Sequence, residues 1–291
     1  MYNNGVELLA LVHTKNSSIS DIVMEKECKI SGMSREYIRN KMKERLDVMR
    51  VSAEFALNND VKTVGGIIGG DAKKVERYYN QNISICGDIV NKVMARAFST
   101  SEVNASMGRI CAAPTAGASG IIPATVISVA EKLNASEDQI IDALFTASGI
   151  GEIIAKNATL SGAEGGCQAE CGAAAAMSSA ALVEMAGGTA EMSLHAAATA
   201  LKNIMGLICD PIAGLVEAPC AKRNASGAVN AMLSADLALA GVKSIIPFDE
   251  VVEAMYKVGK ALPSTLRETA LGGIAVTPTG IRIKNEIYGN K

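Results

Sequence analysis

The sequence predicts a mainly α fold, a single helical domain with Gly/Pro-rich loops. Three observations carry that prediction. Apolar residues recur at three- and four-residue spacing over long stretches. No apolar/polar alternation convincing as a strand lasts beyond about four residues. Glycines, 27 of them, and runs of alanine are abundant, which suits helices packed closely with small residues between them. The 291 residues show no internal repeat, no low-complexity linker and no shift in composition, so residues 1–291 read as one domain.

The elements follow in order. The N-terminal third is helical. Ser34 is placed to cap a helix whose apolar positions Ile38, Met42, Leu46, Met49 and Ala53 form a stripe, with Arg35, Glu36, Lys41 and Lys43 largely off it. In VGGIIGGDAKKVERYY a glycine-rich turn precedes a charged helix for which Asp71 is the expected cap. A further helix covers ICGDIVNKVMARAF. Residues 119–133 form an apolar helix with proline early, where its missing N–H matters least. SEDQIIDALFTAS opens with Ser136 as cap and Glu137 and Asp138 in an acidic first turn. Residues 168–208 are Ala-rich and helical with a break at Gly187 and Gly188, and FDEVVEAMYKVGKAL adds an amphipathic helix. The loops at 65–70, 111–120, 161–167 and 209–220 are left to carry the chemistry.

Composition narrows the function. A net charge of −2 gives no basic or acidic bias, so neither nucleic acid nor an anionic membrane is implied. Aromatics at 3% leave few platforms for stacking bases or sugars. The start MYNNGVELLALVHTKN lacks a basic segment and a cleavage site, and the longest apolar stretch is interrupted by Glu184, so a cytoplasmic protein is expected. Seven cysteines without an export signal argue against disulfides and leave metal binding or plain burial.

Four features compete for a role. Cys167 follows a flexible loop and precedes a helix, where backbone N–H groups favour a thiolate; Cys171 lies one turn on, either paired with it or packed among alanines. Cys209 and Cys220 flank Pro211, Gly214 and Pro219, and either burial or ligation of one metal centre accounts for them. No CxxC exists and neither His13 nor His195 is near a cysteine in sequence, so zinc gains no support, whereas three cysteines on separate loops suit an iron–sulfur cluster with one iron open. In CAAPTAGASGIIP, Thr115, Gly117, Ser119 and Gly120 bring hydroxyls and amides to a helix N-terminus, as an anion site or with Ser119 as an ordinary cap. His195 reads as a core histidine or a catalytic one. Lys222, Arg223 and Asn224 either offset a thiolate-bound cluster, bind a carboxylate, or start a solvated turn.

With GGDAKK (69–74), APTAGASGIIP (113–123), SGAEGGCQAE (161–170), CDPIAGLVEAPCAKRNA (209–225) and GGIAVTPTG (272–280), the chain resembles the alpha chain of the two-subunit, iron–sulfur-dependent L-serine dehydratases (L-serine ammonia-lyases) over nearly its whole length. The resemblance implies that Cys167, Cys209 and Cys220 hold a [4Fe–4S] cluster and that residues 115–119 bind the carboxylate of L-serine. It implies that an open iron acts as Lewis acid on the substrate hydroxyl. The catalytic base is then expected from a beta subunit, since no SSHT-type motif occurs here. Single-chain relatives can fill the open iron with a C-terminal cysteine; this sequence ends IYGNK, which implies water there. A cysteine desulfidase of the same family is the alternative reaction. A scaffold subunit with merely buried cysteines is the alternative of a different class, and a pyridoxal-phosphate lyase would need a Schiff-base lysine and phosphate cup not recognisable here.

Overall fold

A computed structural model describes residues 1–81 and 83–289; Asn290 and Lys291, the end of IYGNK, lie outside the described residues. The helices are α1 (Gly5–Lys15), α2 (Ile19–Ser31), α3 (Arg35–Asn58), α4 (Asp71–Tyr79), α5 (Gly87–Ala105), α6 (Ile121–Leu133), α7 (Glu137–Asn157), α8 (Gly162–Gly165), α9 (Ala173–Met185), α10 (Ala190–Asn203), α11 (Cys220–Leu239), α12 (Phe248–Ala261) and α13 (Pro278–Tyr288). Among the described residues there is no strand, only an isolated bridge between Cys209 and Arg267. The mainly α class is as the sequence predicts.

α9 is the axis of the fold. Every residue from Ala173 to Met185 is buried except Glu184, because α6, α7, α10 and α11 surround it. A helix apolar all round belongs in such a place. Alanine there keeps neighbouring axes close, and bulk comes from the partners: Ile150, Ile153 and Ile154 of α7 and Leu201 of α10 are at most 1% exposed. Each such side chain contributes about 2 kcal/mol through burial. Two glycines permit close approaches between helices. A Cβ on Gly149 would stand 2.4 Å from Val23 Cγ2 of α2, and one on Gly227 of α11 would stand 2.6 Å from Ile121 Cδ1 of α6.

The helix starts follow local chemistry where the cap is local. Ser34 accepts the Tyr37 amide at 3.2 Å, and Ser136 and Gln139 form a reciprocal capping box. α4 departs from expectation. Gly70, in the left-handed region at φ 71°, takes the cap position, and Asp71 is already helical. The free amides of Asp71 and Ala72 are satisfied instead by the buried Glu102 carboxylate of α5, at 2.6 and 3.1 Å. Asp71 pairs with Lys74. α6 departs similarly: its cap is Gly120, whose amide donates to Asn224 Oδ1 at 2.9 Å, while the Ser119 hydroxyl donates to Ala116 O at 2.8 Å.

A second, smaller apolar cluster lies where α5, α6, α9 and α11 meet. It includes Val93, Ala118, Ile121, Ala174 and Ala225 together with Cys167, Cys171 and Cys209. Loops 111–120, 161–167 and 209–220 close on this end of the bundle. Among the described residues no helix is long and apolar enough to cross a membrane.

Candidate active site at the cysteine loops

Cys167 sits between two forced pieces of backbone. Before it, Gly166 adopts φ 76°, and a Cβ there would meet Leu207 O at 2.7 Å. After it, Gln168–Gly172 form a π-helical turn that runs into α9. Such turns often mark functional positions because they re-aim side chains within a helix. Gln168 clamps the turn: its amide nitrogen donates to Gly165 O at 2.9 Å and Met255 O at 3.1 Å, and its oxygen accepts the Gly206 amide at 2.8 Å. Cys209 is fixed by the opposite segment. Its amide donates to Leu266 O at 2.9 Å, and its carbonyl accepts the Glu268 amide at 2.7 Å.

The two loops bring sulfur to sulfur. A Cys167 Sγ, a Cys209 Sγ and a Glu170 carboxylate oxygen lie within 4.8 Å of one another. Cys171 Sγ stands 3.6 Å from Cys167 Sγ. Hydrogen bonds from the Cys171 and Cys209 thiols, with the Arg223 charge beside them, hold the buried Cys167 thiol well below its ordinary range. Their bonds to Cys167, together with burial, push Cys171 and Cys209 up in turn. Cys220 is buried as the first residue of α11 but, among the described residues, joins no group of ligand atoms within 4.8 Å. Burial, with the Cys167 charge, pushes its thiol up to about 12.

Residues 115–119 lie directly beside this group. The Thr115 hydroxyl donates to Glu170 Oε1 at 2.8 Å. Among the described residues, the amides of Thr115, Ala116, Gly117 and Ala118 donate to no acceptor within the chain. Unspent backbone N–H groups at such a place are available to an anion. Asn224 holds the loop to α11, its amide nitrogen donating to Gly117 O at 2.7 Å and Cys220 O at 2.9 Å.

Glu170 is the residue that sequence reasoning missed. It is half-buried, and its carboxyl is pushed up to about 7 by burial, with the Cys167 and Glu268 charges adding and the Thr115 hydrogen bond opposing. Two glycines give way to it: a Cβ on Gly117 would stand 3.2 Å from Oε1, and one on Gly162 2.5 Å from Oε2. The available signal was its position three residues after Cys167 at a helix start, a spacing that puts both on one face.

The outer candidates separate. Arg223 donates to Ile208 O at 2.9 Å and to the buried Asp210 at 2.7 Å, and its charge reaches Cys167. Lys222, its neighbour, is exposed. His195 is half-buried on α10, where Nδ1 accepts the Ser244 amide at 3.4 Å; burial, with Lys243 nearby, lowers its pKa. His13 pairs with Glu191 at 2.7 Å. Neither histidine enters the group of ligand atoms around Cys167.

The profile of the family described as "Serine dehydratase alpha chain" matches residues 14–275. The chain is 52% identical over 286 residues to the "L-serine dehydratase, alpha chain" of Peptoniphilus asaccharolyticus, covering 98% of each chain. It is 48% identical over 289 residues to the "Probable L-serine dehydratase, alpha chain" of Bacillus subtilis, covering 99% of this chain and 96% of that one. With the "L-serine dehydratase 1" of Escherichia coli it shares 32% identity over 281 residues, which is 94% of this chain but 62% of the longer relative.

Proposed function

This chain belongs to the serine dehydratase alpha chain family, and from that premise we propose that it is the cluster-bearing subunit of a two-chain cytoplasmic enzyme converting L-serine to pyruvate and ammonia. The observation that carries the proposal is the convergence of Cys167 and Cys209 beside a loop of unspent amides at 115–118.

The residues fit an iron–sulfur group. The donors are cysteine sulfurs on separate loops, one of them already favoured as thiolate, with the Arg223 guanidinium to offset negative charge. Cys167, Cys209 and Cys220 would hold a [4Fe–4S] cluster, which supplies a Lewis-acidic iron for the departing β-hydroxyl.

The chain's own side chains and amides do the rest. Amides of residues 115–118 bind the substrate carboxylate, and Asn224 keeps their loop in register with Cys220. Thr115 and Gln168 fix the Glu170 and Cys167 segments so that the bound amino acid meets a preorganised surface. Loss of the α-proton and the β-hydroxyl gives an enamine that tautomerises and hydrolyses to pyruvate and ammonia. The base that takes the α-proton comes from the beta subunit, so the isolated chain should turn over little or no serine.

The test is anaerobic reconstitution with iron and sulfide, addition of the partner subunit, and assay of pyruvate from L-serine. Iron near four per chain and turnover lost in air support the reading. A colourless, iron-free protein, or turnover that survives air and chelator, overturns it.

A further inference from the structure

Glu170 has no assigned task in the scheme above, yet three parts of the site are arranged around it. Its carboxylate accepts the Thr115 hydroxyl at 2.8 Å through one oxygen. Among the described residues no other protein donor reaches it, and no lysine, arginine or histidine nitrogen comes within 4.0 Å. Arg223, the half-buried cation whose charge reaches Cys167, is already committed to Asp210 and Ile208 O. A half-buried carboxylate with one spare oxygen and no cationic partner is costly unless something else brings the positive charge.

What surrounds it shows which cation would fit. Thr115, its one donor among the described residues, begins the segment whose amides at 115–118 find no acceptor there either, so donors for an anion and an acceptor for a cation stand side by side. Gly117 and Gly162 both lack the side chain that would crowd the carboxylate, with Cβ positions 3.2 and 2.5 Å from its oxygens. On the other side are the sulfurs of Cys167 and Cys209. An α-amino acid zwitterion carries a carboxylate and an ammonium on one carbon, and this surface offers the complement of both.

We propose that Glu170 anchors the α-ammonium group of the substrate, held in place by Thr115 while the neighbouring amides take the substrate carboxylate. The assignment rests on the serine dehydratase reading. Glu170 then decides that an amino acid enters and that the corresponding hydroxy acid does not gain full affinity. Thr115 is its positioning residue.

The test compares two ligands that differ only in the ammonium, on the anaerobic two-subunit holoenzyme. L-serine is followed by its KM, and 3-hydroxypropanoate, which keeps the carboxylate and the hydroxyl, by its inhibition constant. Glu170→Gln retains an oxygen to accept from Thr115. It should raise the KM for serine by about 10- to 100-fold and change the inhibition constant of 3-hydroxypropanoate by less than about threefold. Glu170→Asp should recover part of the loss, and Thr115→Val should shift serine in the same direction by a smaller factor. Iron and sulfide content and the visible absorption of the variants should match the parent enzyme.

Equal weakening of both ligands in Glu170→Gln would assign the residue a structural role and overturn the proposal. Loss of iron from that variant would make it a metal ligand instead, with the same consequence. A parent enzyme that holds iron but neither turns over serine nor binds it would sink the functional reading itself, before any variant is compared.

Discussion

The Glu217 carboxylate accepts the Gly65 amide at 2.6 Å, joining two loops separated by 152 residues. The same carboxylate also accepts from Thr63 Oγ1 at 2.9 Å, Ile67 N at 2.8 Å and Ile68 N at 3.2 Å. Glu217 lies between Cys209 and Cys220 and is 2% exposed, so the glycine-rich loop at 65–70 is a brace for the cysteine loop. That gives the segment before GGDAKK a physical task, one that the glycines alone do not reveal.

Glu217→Gln should therefore destabilise the chain and loosen the Cys209–Cys220 loop together. Four donors converge on the carboxylate. An amide offers one oxygen and turns an N–H₂ towards the remaining donors. The expected loss is about 1–3 kcal/mol, seen as a lower urea midpoint with an unchanged slope. Gly65→Ala should do the same by sterics, since its Cβ would stand 2.5 Å from Leu215 Cδ1 and 2.9 Å from Glu217 Oε1. A parent-like midpoint in both variants would show that the brace contributes nothing.

Gly162→Ala should be far more damaging to the site than Gly117→Ala. At Gly162 the added carbon would meet Glu170 Oε2 at 2.5 Å and Cys209 Sγ at 3.2 Å, so the carboxylate, tethered to Thr115 through Oε1, would have to swing away as a whole. At Gly117 it would meet Glu170 Oε1 at 3.2 Å, a contact relieved by a small shift. Overpacking of the first kind costs about 1–3 kcal/mol and displaces Glu170. Serine KM in the holoenzyme, measured beside the melting temperature, separates the two: Gly162→Ala should raise KM more than its stability loss implies. Equal effects from the two alanines would show that Glu170 is free to move.

What the sequence revealed and what it hid divides by the range of the interaction. Ser34 and Ser136 were legible as caps because each bonds an amide three residues on. Asp71, expected as a cap, and Ser119, for which capping was one of two readings, do not hold the cap positions, which fall to Gly70 and Gly120. The starts of α4 and α6 are held by long-range acceptors instead: Glu102 takes the Asp71 amide from 31 residues away, and Asn224 takes the Gly120 amide from 104 residues away. Cys167 and Cys209 stood out as rare, reactive side chains among glycine and proline, and the structure brings them together. Glu170 did not stand out, because a glutamate early in a helix is ordinary. Only the π turn and the Thr115 contact make it otherwise.

Arg223→Met should unfold the loop end of α11 more readily than its partial exposure implies. The guanidinium binds Asp210, which is 1% exposed and also accepts the Ile274 amide at 2.7 Å. Removing the cation leaves a buried carboxylate with one amide, at a cost on the order of 3–5 kcal/mol. The double variant Arg223→Met/Asp210→Asn should recover a large part of that loss, because no charge is then stranded. Chemical denaturation of the four proteins in the cycle measures the coupling, and additive losses would refute it.

The acid side of the stability curve should carry a contribution from Glu184, the one side chain of α9 not fully buried. Its carboxylate accepts from the Thr146 hydroxyl at 2.7 Å and the Ser20 amide at 3.3 Å. Burial outweighs those bonds and raises its pKa above the usual value for glutamate. The folded chain thus binds a proton at pH values where the unfolded chain has released it. Its contribution is fully present below the unfolded pKa and is lost as pH rises through the folded one. Glu184→Gln keeps an oxygen for Ser20 and an amide that can remain near Thr146, and it never ionises. Unfolding free energies measured from pH 4 to 8 should therefore fall less steeply with pH in the variant, and the variant should be the more stable protein at pH 7. If the two curves run parallel throughout, Glu184 is solvated well enough to ionise freely, and the closed packing of α9 against α2 and α7 at that point is wrong.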